Sequence, residues 1–396
     1  MSEPNELLAQ LNELLKTAVQ YNASDIHMKT MSVPTFRING TLHRVEEFGV
    51  LRPERINPML ASILNDEQRK MVRDNIEVDL SYTLPSVARF RVNIYKQRNS
   101  LCGVFRTIPF SVKTIDELVL PPVIRKIAEF QRGLVLVTGT TGSGKSTTMA
   151  AMIDHINSTR SCNIITIEDP IEFLLRDKKS AISQREIGID TLSFAKALRG
   201  SLRQDPDVIM VGEMRDLETI EIALTAAETG HLVISTLHTM NAAETINRII
   251  SVFPPNGQAQ IRHQLGSVLV AAISQRLIKV KGGKGRVPAI EVLISTPLVK
   301  DIILDSSRFG ELREVIEKGY LSYGMQTFDQ SIFQLYKDGH ITAKEAMENA
   351  SNPEDLKLRM EGVTTAGGGD WSSFDSSEEE DKSYLDQYQP TDEGDY

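Results

Sequence analysis

Gly139-Thr-Thr-Gly-Ser-Gly-Lys-Ser146 matches the pattern G-x-x-x-x-G-K-[ST] at every fixed position. The apolar run Gly133-Leu-Val-Leu-Val-Thr138 before it reads as a buried strand, and Thr147-Thr-Met-Ala-Ala-Met-Ile-Asp154 after it has helical composition. Strand, glycine-rich turn and helix together make a phosphate loop, because the glycines let backbone N–H groups face one concavity and the helix N-terminus adds partial positive charge. The candidate nucleotide-binding residues are Gly139, Thr140, Thr141, Gly142, Ser143, Gly144, Lys145, Ser146 and Thr147. Lys145 is placed to reach the β/γ-phosphates, and the Ser146 hydroxyl to ligate Mg²⁺. A chance glycine-rich turn is the competing reading, and the flanking strand and helix weigh against it. The stretch predicts binding of ATP or GTP.

With 396 residues, 41% hydrophobic and 24% charged, the chain has globular composition and a length that suggests two domains. Its apolar stretches, such as 134–137 and 268–273, are far too short to span a membrane. The start Met1-Ser-Glu-Pro-Asn-Glu6 has no basic n-region or apolar block, so no secretory signal is expected. The two cysteines, Cys102 and Cys162, sit in apolar strand-like contexts and read as buried thiols in a cytoplasmic protein. The net charge of −9 is a property of the end of the chain: residues 363–396 carry ten acids and one Lys, leaving 43 acids against 43 bases before them. The acidity therefore says little about the folded surface.

The expected fold is α/β in two parts, an N-terminal α+β domain and a P-loop ATPase domain. Leu7, Leu8, Leu11, Leu14, Leu15 and Val19 recur at helical spacing over 5–21. Short strand-like pieces follow to about Arg106, including Thr35-Phe-Arg-Ile-Asn39 with a turn at Asn39-Gly40, and one helical stretch is expected over 52–75. From Pro121 strands alternate with helices, as in a mostly parallel sheet. The strands 134–138, 163–167, 207–211 and 232–235 each deliver polar residues or glycine at their C-terminal ends, where open α/β sheets bind ligands. The expected division is 1–110, a linker at 111–120, an ATPase core at 121–295, a C-terminal helical region at 296–362 and a disordered acidic tail at 363–396. The tail holds Trp371, Phe374, Tyr384 and Tyr388 among acids, and reads as a solvated tail ahead of a linear docking motif.

Hydrolysis needs an acid beyond the loop. Glu213, at the tip of the 207–211 strand, is the candidate for orienting the attacking water. Glu168, Asp169 and Glu172 follow another strand. Glu168 reads as a general base or a holder of Mg²⁺ waters, and Asp169 alternatively as the cap of a helix beginning at Pro170. His231 and His238 bracket one strand, and His238 at its C-terminal end suits a γ-phosphate sensor. Arg89, Arg91, Lys96, Arg98 and Arg106 form a basic cluster on the first domain, with Arg89 and Arg91 on one strand face. Strand-held guanidinium groups stabilise a transferring phosphoryl group. Nucleic-acid binding competes, but the body of the chain has no wider basic field.

At these residues the sequence resembles the secretion ATPases of the type II/type IV pilus class, and within it the PilT-type retraction motors. The resemblance covers roughly 5–360. Gly139–Ser146 is similar to the family's Walker A, Thr166-Ile-Glu-Asp-Pro-Ile-Glu172 to its Asp box, and Leu202-Arg-Gln-Asp-Pro-Asp-Val-Ile-Met-Val-Gly-Glu-Met-Arg-Asp216 to its Walker B region. Glu228-Thr-Gly-His-Leu-Val-Ile-Ser-Thr-Leu-His-Thr239 is similar to its His box, and Ser24-Asp-Ile-His27 and Arg89-Phe-Arg-Val-Asn93 to its PAS-like N-terminal domain. The resemblance implies a RecA-like core and a homohexamer in which Arg91, Arg98 and Arg106 act in trans. It further implies Glu213 as catalytic glutamate, Glu168 as Asp-box glutamate, and Mg²⁺ held by Ser146 and, through water, by Glu168 and Glu213. The implied work is ATP-driven pilus retraction and twitching motility at the cytoplasmic face of the inner membrane. The implied partners are the inner-membrane platform protein and a paralogous retraction ATPase, with no nucleic acid and no transmembrane segment. No cysteine follows Cys162, whereas extension and secretion motors usually carry a four-cysteine zinc module. The region Pro297-Leu-Val-Lys-Asp-Ile-Ile-Leu-Asp305 lacks the Ala-Ile-Arg-Asn-Leu-Ile-Arg-Glu motif of the best-known retraction motors, while Gly324-Met-Gln-Thr-Phe-Asp329 is shared by retraction motors and by their PilU-type accessory paralogues alike. An accessory PilU-like role is therefore the alternative, ahead of an extension or secretion ATPase or a RecA-like nucleic-acid motor.

Overall fold

A computed structural model of the chain describes residues 3–74, 76–85, 87–108, 112–283 and 285–361. The expected tail at 363–396, with its Trp371, Phe374, Tyr384 and Tyr388, lies outside them. The fold is mixed α/β with two sheets, and the chain divides into two compact units, residues 1–111 with the short segment 172–174, and the remainder.

In the first unit the opening helix spans Glu3–Gln20 and buries Leu11, Leu14, Leu15 and Ala18, the apolar stripe that its spacing announced. Six strands follow: β1 (Asp25–Met28), β2 (Thr35–Ile38), β3 (Thr41–Arg44), β4 (Val78–Leu84), β5 (Ala88–Gln97) and β6 (Ser100–Ile108). They form an antiparallel sheet in the order β3-β2-β1-β6-β5-β4. Asn39 and Gly40 both take positive φ at the β2–β3 turn, which is what a two-residue hairpin demands. The single helical stretch expected over 52–75 is two helices, Pro53–Ala61 and Asp66–Arg73. The break has a local cause. Asn65 accepts the Gln68 amide while the Gln68 side chain accepts the Asn65 amide, a capping box that starts a new helix. Phe36, Phe90 and Phe105 fill the core, with Phe90 edge-on to Phe105.

The second unit holds β7 (Gly133–Thr138), β8 (Asn163–Glu168), β9 (Ala181–Glu186), β10 (Val208–Val211), β11 (Leu232–Leu237), β12 (Leu269–Lys279) and β13 (Arg286–Ile294). Their order is β13-β12-β7-β11-β10-β8-β9, parallel from β9 to β12, with β13 antiparallel to β12. Every residue of β7 is buried. Leu134 and Leu136 enter the core on one sheet face, Val135 and Val137 the core on the other, which explains why this strand reads as a continuous apolar run. Strands β9, β12 and β13 were not separately legible. The helices Phe328–Lys337, Ala343–Asn349 and Pro353–Met360 share a separate core with Ile278, Val287 and Ala289 at one end of β12 and β13. No helix begins at Pro170. With coil rather than helix after β8, the capping role considered for Asp169 does not hold.

Candidate active site

β7 ends at Thr138, and the glycine-rich loop turns straight into the helix Lys145–Thr159. Gly144 precedes that helix with φ +89°, a left-handed conformation that L side chains avoid. A Cβ on Gly139 would lie 2.4 Å from the Gln275 carbonyl and 2.6 Å from Ser143 Oγ, so only glycine fits. Lys145 is 9% exposed, and its Nζ donates to the carbonyls of Gly139 at 2.9 Å and Thr140 at 3.0 Å, holding the ammonium over the loop. Ser143 Oγ is buried with no hydrogen-bond partner. A tight glycine cradle, a fixed ammonium and an orphaned hydroxyl fit a phosphate chain.

The acids stand at neighbouring strand ends. Glu168 closes β8, 8% exposed, and accepts from Thr166 Oγ1 at 2.6 Å and Gln184 Nε2 at 2.9 Å. Glu213 stands two residues beyond β10 on a turn stitched to both flanking strands. The Gly212 amide donates to the Ile167 carbonyl at 2.7 Å, the Gly212 carbonyl accepts from Thr236 Oγ1 at 2.7 Å, and the Met214 amide donates to the Thr236 carbonyl at 3.2 Å. The Glu213 carboxylate meets His238 Nε2 at 3.2 Å and hydrogen-bonds Arg215 Nε, and this bond raises the Arg215 pKa. His238 thus sits against the carboxylate read as catalytic. His231 has a structural place. Its Nδ1 lies 2.8 Å from the Ala226 carbonyl, which only accepts, so this nitrogen carries a proton. Among the described residues no group of three or more His, Cys, Asp and Glu is placed to hold a metal ion directly.

Two features of the site escaped sequence reasoning. A chain of buried hydroxyls runs beneath the loop: Ser274 to Thr138 at 3.0 Å, Thr138 to Thr245 at 3.4 Å, Thr245 to Thr239 at 2.6 Å. It joins the end of β7 to the residue after His238. Gln275 on β12 also touches the loop. The only trace of either in the sequence is the polar triplet Ser274-Gln-Arg276 inside an apolar strand.

The arginines of the first unit do not form one cluster. Arg37, Asp25, Arg106 and Arg91 are consecutive cross-strand partners on β2, β1, β6 and β5. Asp25 accepts from Arg106 Nε at 2.9 Å and lies 3.8 Å from Arg37 Nε. Arg98 instead occupies the β5–β6 hairpin turn, with positive φ at both Arg98 and Asn99. Seven residues of strand, roughly 23 Å, separate it from Arg91. The structure brings Arg91 and Arg106 together and leaves Arg98 apart.

A P-loop at the C-terminal edge of a parallel sheet, with acids at the same edge on β10 and β8 beyond the intervening β11, defines a nucleotide-binding α/β protein. Residues 2–300 match the model of the family described as type II/IV secretion system protein, and the chain belongs to that family. It is 48% identical over 345 residues to a "Twitching motility protein" of Neisseria gonorrhoeae, covering 87% of this chain and 91% of that one. It is 46% identical over 346 residues to the "Type IV pilus retractation ATPase PilT" of Pseudomonas aeruginosa, covering 87% of this chain and 99% of the relative. A crystal structure of the pilus retraction motor PilT with bound ADP superposes with a TM-score of 0.79 at 45% identity, covering 87% of this chain and 98% of that one.

Proposed function

We propose that this chain is an ATP-hydrolysing motor that powers type IV pilus retraction and hence twitching motility. One observation carries the reading: the phosphate cradle, Glu168 and the Glu213–His238 pair stand at the C-terminal ends of β7, β8, β10 and β11. The names of the similar proteins, and the ADP bound in the similar crystal structure, support it. The strand order around β7 supports a RecA-like core for the second unit, and we read the first as PAS-like.

In this reading the amides of Gly139–Ser146 and Lys145 bind the phosphates of ATP. Ser146, with Glu168 and Glu213 through water, would hold Mg²⁺, which would supply charge neutralisation for the phosphates. Glu213 orients a water and accepts its proton as the water oxygen attacks the γ-phosphorus. The bond to the bridging oxygen breaks and ADP leaves. His238 holds the Glu213 carboxylate in place. A homohexamer lets Arg91, Arg106 and Arg98 of one subunit complete the site of its neighbour. The motor works at the cytoplasmic face of the inner membrane on the pilus platform protein, beside a paralogous retraction ATPase. No helix among the described residues is long and apolar enough to cross a membrane. The departure at 297–305 favours an accessory, PilU-like role as the second reading.

Deletion of the gene tests both. Long, non-retracting pili are the expected phenotype, and bald cells would overturn retraction. Residual retraction in the deletion strain would favour the accessory role. Purified chain that turns over no ATP in any oligomeric state would remove the enzyme reading itself.

A further inference from the structure

Gln275 lies near the middle of β12, 2% exposed, and its side chain bonds the phosphate loop and the helix that follows it. Its Nε2 donates to the Ser143 carbonyl, and its Oε1 accepts from Thr148 Oγ1 at 2.9 Å. A carbonyl only accepts, so the amide orientation is determined by these partners. The consequence lies in the Ser143–Gly144 peptide. In a trans peptide the carbonyl and the following N–H point to opposite sides. Binding the Ser143 carbonyl to Gln275 therefore turns the Gly144 N–H away from β12. Gly144 is the residue that permits this, since its φ is +89° and a Cβ there would lie 3.0 Å from Gln275 Nε2. The second contact anchors the same amide to the first turn of the helix, where the Thr148 amide donates back to the Gly144 carbonyl at 3.0 Å. The preceding residue, Ser274, holds the other end of the loop through Thr138.

We infer that Gln275 is a positioning residue for phosphate recognition: it locks the Ser143–Gly144 peptide so that the loop amides face the bound phosphates. This rests on the reading of Gly139–Ser146 as the nucleotide site. The loop could in principle hold its shape through its glycines alone, but glycine widens the range of backbone conformations rather than selecting one. A buried amide with both of its ends engaged supplies the selection.

The test uses the full-length protein and ADP as probe. Gln275→Glu is nearly isosteric and keeps the acceptor for Thr148, but it sets an acceptor against the Ser143 carbonyl. The Kd for ADP should rise about tenfold, and KM for ATP with it, while kcat falls less than threefold, the pattern of lost uniform binding. Thr148→Val removes only the second anchor and should shift the ADP Kd about threefold or less. Melting temperatures separate positioning from packing, since a merely structural residue lowers Tm without weakening ADP binding by the protein still folded. Should Gln275→Glu fail to fold, Gln275→Met removes both hydrogen bonds at similar volume and gives the same readout. Wild-type protein that binds no ADP would refute the site itself. Wild-type binding matched within twofold by either folded Gln275 variant would overturn the positioning role alone.

Discussion

His238 Nε2 stands 3.2 Å from Oε1 of Glu213, and Arg215 Nε hydrogen-bonds the same oxygen. The Glu213 carboxylate is thereby held from two sides, by a ring beyond the end of β11 and by a guanidinium two residues on. An acid so held cannot swing freely, and its remaining oxygen is the one available to a water.

Glu213→Gln keeps the shape and removes the proton acceptor. Steady-state ATP hydrolysis should fall by about 10²–10⁴-fold, the usual contribution of a general base. ADP affinity should stay within about threefold of wild type, because Glu213 leaves the phosphate cradle untouched. His238→Ala should cost less than Glu213→Gln in kcat, and the double variant should be no worse than Glu213→Gln alone, since His238 acts through the carboxylate. Additive losses in the double-mutant cycle would show that His238 has a separate role.

Gly212 gives a steric test of the same turn. A Cβ there would lie 3.1 Å from the Ile167 carbonyl and 3.4 Å from both Glu168 Cα and Phe194, and the nearest of these is backbone of a central strand. The turn, not the strand, must yield. Gly212→Ala should lower kcat by about tenfold or more through displacement of Glu213, since sub-ångström misplacement of a catalytic group is expensive. The ADP Kd should barely move. Equal loss in both quantities would mean that the strain spreads to the phosphate loop.

The parts of this site that were legible in the sequence are local. The cradle is eight consecutive residues, and Glu168, Glu213 and His238 each follow an apolar run that identifies its strand. The parts that were not legible depend on partners distant along the chain. Gln275 is 132 residues from Ser143, and Thr245 is 107 from Thr138. Periodicity carries no information about such pairs. Strand β9 was hidden because it lies at a sheet edge and alternates weakly, and β12 because the polar triplet 274–276 interrupts its apolar run. In the first unit, the arginines could be counted but not arranged. Register sets Arg91 beside Arg106, and the hairpin turn removes Arg98 to the far end.

Asp25 is the counter-charge of that row. Burial pushes its carboxyl pKa up, but hydrogen bonds from Arg106 and Ser24 and the nearby Arg106 charge outweigh it, so the group lies below its ordinary value of 3.8. A carboxyl depressed in the folded state stabilises above its unfolded pKa, and that stabilisation is lost as pH falls through the folded value. Asp25→Asn should therefore lower Tm at pH 7 by an amount corresponding to about 1 kcal/mol, because Arg106 is largely exposed and the pair is partly screened. The gap between variant and wild type should narrow only below about pH 4. A gap that stays constant down to about pH 3 would show that the Asp25 charge is not what stabilises the fold.

The Asp25–Arg106 pair also bears on assembly. If Arg106 serves the site of a neighbouring subunit, Asp25 holds it in place between uses, and Arg106→Ala should abolish turnover without weakening ADP binding to the same chain. Lys145→Ala should do the opposite and weaken nucleotide binding directly. The two defects then reside in different halves of a shared site. Mixing the two inactive proteins under exchange conditions creates interfaces that pair an intact loop with an intact arginine, at roughly a quarter of positions for random assembly of a ring. Partial recovery of ATPase activity, rising with total protein concentration, is the expected result. No recovery, with exchange shown by a tag carried on one partner, would place Arg106 and Lys145 in the same functional half and require the trans arrangement to be abandoned.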